Sequence, residues 1–166
     1  MRKAQIQSQI FIYVIAIAIF AFILVYGYNA IRGFGEKSDQ ISYIKFKTDL
    51  TSTVKRVAPD FGTVKRQEFF IGGDFQQVCF VQTHSPPEKI TKDIAGNPIT
   101  NPIIKDAVTS GSADNTFLIS SSVEESFNIG NINVSPSGFD CIDILNGKVT
   151  LQFEGGGDHA LIQRVN

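Results

Sequence analysis

Residues 1–37 read MRKAQIQSQIFIYVIAIAIFAFILVYGYNAIRGFGEK. Between Ala4 and Ile31 there is no Asp, Glu, Lys, Arg or His, and from Ile10 to Tyr28 every residue except Gly27 is apolar or aromatic. As a helix rising about 1.5 Å per residue, the Ile10-to-Tyr28 run spans roughly 28 Å, close to the hydrocarbon thickness of a bilayer. A helix that lies in water needs a polar face, and none is present here. A cleavable secretory signal has a shorter apolar region, of about 7 to 15 residues, followed by a small-x-small site. Here Ala16 and Ala18 lie inside the apolar run rather than after it. At its far edge Tyr26 and Tyr28 stand where an interfacial aromatic belt sits, and Arg32 where a cation can snorkel. Residues 1–31 therefore read as a basic tip and a retained transmembrane helix, with membrane lipid as its first partner.

Ahead of the run, MRKAQIQSQ places two basic residues, a small residue and a polar stretch, so a cut after Ala4 leaves the helix whole. This head resembles the class III, prepilin-type signal of archaeal type IV pilin-like proteins, and the likeness covers about the first 30 residues. The resemblance implies processing between Ala4 and Gln5 by a prepilin-type peptidase, and self-association through the N-terminal helix. Its assembly positions would include Gln9, Ile10, Phe11, Val14, Phe20 and Phe22. Ala4 stands where Gly is commonest in that family, and Gln9 stands at the fifth position after the cut, where many members carry Glu. A neutral amide can hydrogen-bond a neighbour's new N-terminal amine, but it cannot neutralise that charge. The alternative reading of the same residues is an uncleaved signal anchor.

Charge divides unevenly. Residues 1–59 hold 8 Lys and Arg against 3 Asp and Glu, whereas residues 60–166 hold 7 against 13, giving +5 and −6. The acidic C-terminal part offers no basic field for phosphates, which argues against nucleic acid as a partner. Arg32, Lys37, Lys45 and Lys47 follow the helix closely and by themselves favour a cytoplasmic C-terminal domain. Against them stand the class III resemblance and a domain rich in Ser, Thr, Asn and Gly, and the expectation is an extracellular domain. Asn133-Val134-Ser135 fits the N-glycosylation pattern, making Asn133 a candidate acceptor.

RGFGEKSD, residues 32–39, carries two glycines and a charge cluster, so the helix is expected to bend or pause there. Tyr43, Phe46, Leu50, Val54 and Val57 then recur at spacings of three and four, the mark of an amphipathic helix within 32–59 whose apolar stripe needs a partner. The following sheet is that partner in preference to a membrane surface, and Pro59 and Gly62 end the helix. Beyond it, TVKRQEFFI, FQQVCFVQ, TFLIS, SFNIGNINV, FDCIDIL, KVTLQFE and HALIQRV each read as a strand. Asn146-Gly147 is the strongest hairpin signal, and with the looser turn EGGGD it makes the last three strands an expected antiparallel meander. NPIIKDAVTSG offers an Asn cap, Pro at the first helical position and a terminating Gly, a short helix from Pro102 to about Thr109. The fold class is α+β: a long N-terminal helix, transmembrane then amphipathic, packed on a mainly antiparallel β-rich domain over 60–166. That plan is again pilin-like.

Chemistry is sparse. His84 and His159 are the two imidazoles, no G-x-S-x-G places a nucleophile, and Cys79 and Cys141 are too isolated for a zinc site. Asp140 and Asp143, three apart on one strand, face opposite ways and do not build an acid–base pair. No enzyme activity, cofactor or metal is expected. Cys79 and Cys141 either form one disulfide in an oxidising compartment or pack as two buried thiols. The leading expectation is a pilin-like extracellular structural subunit. The alternative is a single-pass surface protein whose β domain binds a ligand through the Pro-rich excursion over 84–101.

Overall fold

The computed structural model describes residues 3–72, 74–83, 99, 101–121, 123–135 and 137–165. The chain divides into two compact units, residues 1–38 and 39–166. Helix α1 runs Lys3–Val57. The pause expected at residues 32–39 is not made, since the backbone stays helical there. Glycine lowers helix stability by about 1 kcal/mol relative to alanine, but it keeps its N–H; only proline removes the donor, and none occurs before Pro59.

In the second unit β1 (Val64–Phe70), β2 (Gln77–Val81), α2 (Pro102–Ser110), β3 (Thr116–Ile119), β4 (Val123–Phe127), β5 (Ile132–Val134), β6 (Phe139–Asp143), β7 (Lys148–Gly155) and β8 (Ala160–Arg164) follow in order. They form two four-stranded sheets, β1-β7-β8-β5 and β4-β3-β2-β6. Among the described residues every pairing is antiparallel except β5 with β8. The α+β class with antiparallel-rich sheets therefore holds, with the strands divided between two sheets.

Two strand expectations are corrected. SFNIGNINV is not one strand: Asn128 Oδ1 accepts from Gly130 N at 2.8 Å and Gly130 takes a φ of 109°, which ends β4 and lets β5 join the other sheet. The closing meander is also absent. Asn146 and Gly147 do adopt the positive φ of a type I′ turn, 54° and 71°. The strands they join then part, because Ile144 N donates to Gln76 O beside β2 at 2.7 Å, while Gly147 O accepts from Ile71 N beside β1 at 2.8 Å. Only β7 and β8 remain a hairpin.

The apolar stripe of α1 completes one core with both sheets. Phe46, Leu50, Val54 and Val57 are buried with Phe69, Leu151, Phe153 and Ile162 of the first sheet and Val78, Phe80, Leu118 and Phe127 of the second. Phe46 makes edge-to-face contacts with Phe69 at 5.9 Å and with Phe127 at 6.2 Å, touching one strand of each sheet. The other face of the second sheet buries Cys79, Val81, Phe117 and Phe139 with Ile104 of α2. Helix α2 has the caps its sequence promised: Asn101 Oδ1 accepts from Ile103 N, and Gly111 closes it at a φ of 69°.

After Val57 the chain is tied to the end of β7. Gly62 N donates to Gly155 O at 2.8 Å, Gly155 N to Thr63 O at 2.9 Å, and Gly157 N to Ala58 O at 2.8 Å. A Cβ at Gly155 would run into the backbone carbonyl oxygens of Val57 and Asp60. Gly155→Ala should therefore lower domain stability by about 3 kcal/mol, since backbone on both sides must shift. Phe46→Ala should remove about 3 to 5 kcal/mol. Urea unfolding followed by tyrosine fluorescence measures both.

Candidate functional site: an uncovered apolar helix and a stapled domain

Ile10–Ile31 is a 22-residue helical stretch long and apolar enough to cross a membrane, and none of it is buried by the rest of the chain. Its large side chains are 43% to 75% exposed, with the expected assembly positions Ile10, Phe11, Val14, Phe20 and Phe22 between 59% and 67%. Ala4, Gln5 and Gln9 lie on the helical backbone that precedes it. Sixteen such side chains are exposed between Ile10 and Ile31. Burying one is worth roughly 1.5 to 3 kcal/mol, so together they represent tens of kcal/mol, more than the net stability of a whole domain. Leaving this surface in water is costly.

In the second unit Cys79 and Cys141 are directly opposite in the β2–β6 register and are joined as a disulfide, with Cα atoms 4.0 Å apart. Cys79 is fully buried and Cys141 half-buried. Asn133 lies in the middle of β5 and is partly exposed, between the buried Ile132 and Val134. Its side chain therefore takes the outward face of that strand.

The acidic residues go separate ways. Asp140 is buried and accepts from Arg164 Nη2 at 3.4 Å, while the same guanidinium nitrogen donates to Cys141 O at 2.5 Å. Asp143 is exposed and accepts from Gln77 Nε2 at 2.7 Å. The opposite facing expected of this pair is what the strand delivers. His159 Nδ1 lies 2.6 Å from Asp158 Oδ1, and this hydrogen bond holds the Asp158 carboxyl below the usual carboxylate range. His84 and most of the 84–101 excursion lie outside the described residues. Among the described residues no three His, Cys, Asp or Glu side chains converge on a metal position.

A cavity of about 380 Å³ opens beside Thr83, Asp114, Asn115 and the end of α2. Its buried polar residue, Asn115, is engaged within the fold: Nδ2 donates to Gly130 O at 2.7 Å and Thr83 Oγ1 at 3.2 Å, and Oδ1 accepts from Ile129 N at 3.0 Å. A second recess of about 370 Å³ lies by Glu68, Asp143, Lys148 and Arg164.

One polar contact escaped the sequence reading. Tyr43 OH donates to Glu125 Oε2 at 3.1 Å, fastening α1 to β4 across 82 residues of sequence. Partial burial, the Glu125 bond and the charges of Glu125 and Asp114 push its pKa up to about 12. Spacing identified Tyr43 as a stripe member, but nothing local links it to a glutamate so distant.

Comparison with protein-family models, with curated proteins and with solved structures finds no match.

Two measurements follow. Because the folded domain raises the Tyr43 pKa, the stability it contributes is complete below pH 10 and declines as pH rises from 10 towards 12. Over that window Tyr43→Phe should lose less stability than the unaltered protein, as measured by urea midpoints. Reducing the disulfide, or replacing both cysteines by serine, should lower the unfolding free energy by about 4 kcal/mol.

Proposed function

We propose that this protein is a membrane-anchored, pilin-like structural subunit that assembles outside the cell through its N-terminal helix. The observation that carries the reading is the all-round apolar surface of Ile10–Ile31, borne on the same continuous helix whose last turns complete the core of a β domain. A helix packed among copies of itself buries every face, as a helix in lipid does. One surface therefore serves both a membrane store of subunits and a filament core. The Cys79–Cys141 bond fits an oxidising compartment and supports an extracytoplasmic domain. The basic head supports a cytoplasmic tip open to a prepilin-type peptidase. In this reading the domain has no catalytic role, and its partners are lipid, the peptidase and other copies of the chain.

The N-terminus of the native protein tests the reading. Mass spectrometry of material from native cells should find a chain that starts at Gln5. A chain that keeps Met1 to Ala4 would point to a permanent lipid anchor bearing a surface domain.

A further inference from the structure

The docked part of α1 has a second face. Ile41, Ile44, Lys45, Thr48, Ser52 and Lys55 are all exposed, at the three- and four-residue spacings that put them on one side of a helix. That side is opposite the buried Phe46, Leu50, Val54 and Val57. Ile41 and Ile44 are 66% and 59% exposed. Lys45 and Lys55 are the charges on this stripe, with Arg56 and the half-buried Asp49 beside them.

The opposite charge is concentrated elsewhere on the same domain. From Asp106 to Gly147 the sequence holds six Asp and Glu and no Lys or Arg. Two of these lie at β4, an outer strand of its sheet: Asp114 in the loop before β3, and Glu125 within β4 itself. Ser126 Oγ of that strand donates to Asp114 Oδ2 at 2.6 Å, and Glu125 accepts from Tyr43. The base beside this edge is Lys47, whose Nζ lies 5.2 Å from the Phe127 ring centre. An outer strand leaves a row of backbone N–H and C=O groups open to a neighbour.

We propose that copies of this chain associate through a heterologous contact, the outward face of α1 of one copy docking on the acidic β4 edge of the next. The inference rests on the reading of the protein as an assembling subunit. The two surfaces face different ways on one domain, because β4 meets α1 along its Tyr43 and Lys47 side. A copy cannot satisfy its own pair, whereas a neighbour can. A contact between unlike surfaces repeats from copy to copy and yields rings or open filaments. Complementary charge sets register and rate of encounter, while the apolar helix supplies the bulk of the buried surface.

The test uses the full chain in native membranes, with a photoreactive phenylalanine analogue in place of Thr48 and a mixture of isotopically heavy and light copies. Irradiation should join position 48 of one copy to a peptide within residues 114–127 of another. Lys45→Glu with Lys55→Glu should reduce this product about tenfold, and adding Asp114→Lys with Glu125→Lys should restore it. Self-association that persists with cross-links only to lipid or to residues 10–31 of the neighbour would overturn the inference while sparing the proposed function. A chain that never self-associates would overturn both. The cross-link in the chain with native charges decides the matter even if the fourfold variant misfolds.

Discussion

Two β-sheets meet at Phe46. Its ring sits edge-to-face with Phe69 of one sheet and Phe127 of the other, and Leu50, Val54 and Val57 continue the same ridge through the core. Neither four-stranded sheet covers its own inner face, so the helix stripe is a structural part of the domain rather than a stalk leading to it. Gly155 admits the end of that helix against β7, where any side chain would collide with its carbonyls. Tyr43 fastens the other end to β4. Whatever environment covers the apolar start of α1 is thereby linked, along one continuous helix, to a folded and disulfide-stapled unit.

That linkage makes physical sense of the division of charge. The uncovered stretch is apolar on all sides and gives adhesion without direction. In the proposed assembly, direction comes from the second unit, whose outward α1 stripe carries Lys45 and Lys55 and whose β4 carries Glu125. In that assembly a strongly cohesive helix and a weaker, salt-sensitive contact between domains would divide the tasks of affinity and register.

Local chemistry was legible in the sequence. The 19 residues from Ile10 to Tyr28 carry a periodicity-free apolar signal, the stripe from Tyr43 to Val57 has the spacing of a docked face, and Asn101-Pro102 with Gly111 cap α2 as read. What escaped was partner choice. Asn146-Gly147 specifies its own dihedrals, but it does not specify which strands receive the chain on either side, and β6 and β7 go to different sheets. The Asn128 turn that parts β4 from β5 is short enough to hide inside an apparently continuous strand. The choice between a Cys79–Cys141 disulfide and two buried thiols stayed open in the sequence, because nothing local shows that β2 and β6 are adjacent. The candidate assembly surface was half visible: its apolar residues stand out in the sequence, while the Tyr43–Glu125 fastening and the β4 edge exist only in three dimensions.

Electron cryo-microscopy of material sheared from the surface of native cells tests the central claim most directly. Filaments are expected whose core is a bundle of α1 helices beginning at Gln5, with the disulfide-bonded β domains arrayed outside. Sheared fractions that lack the protein, with the whole population dispersed as single copies in the membrane, would contradict it.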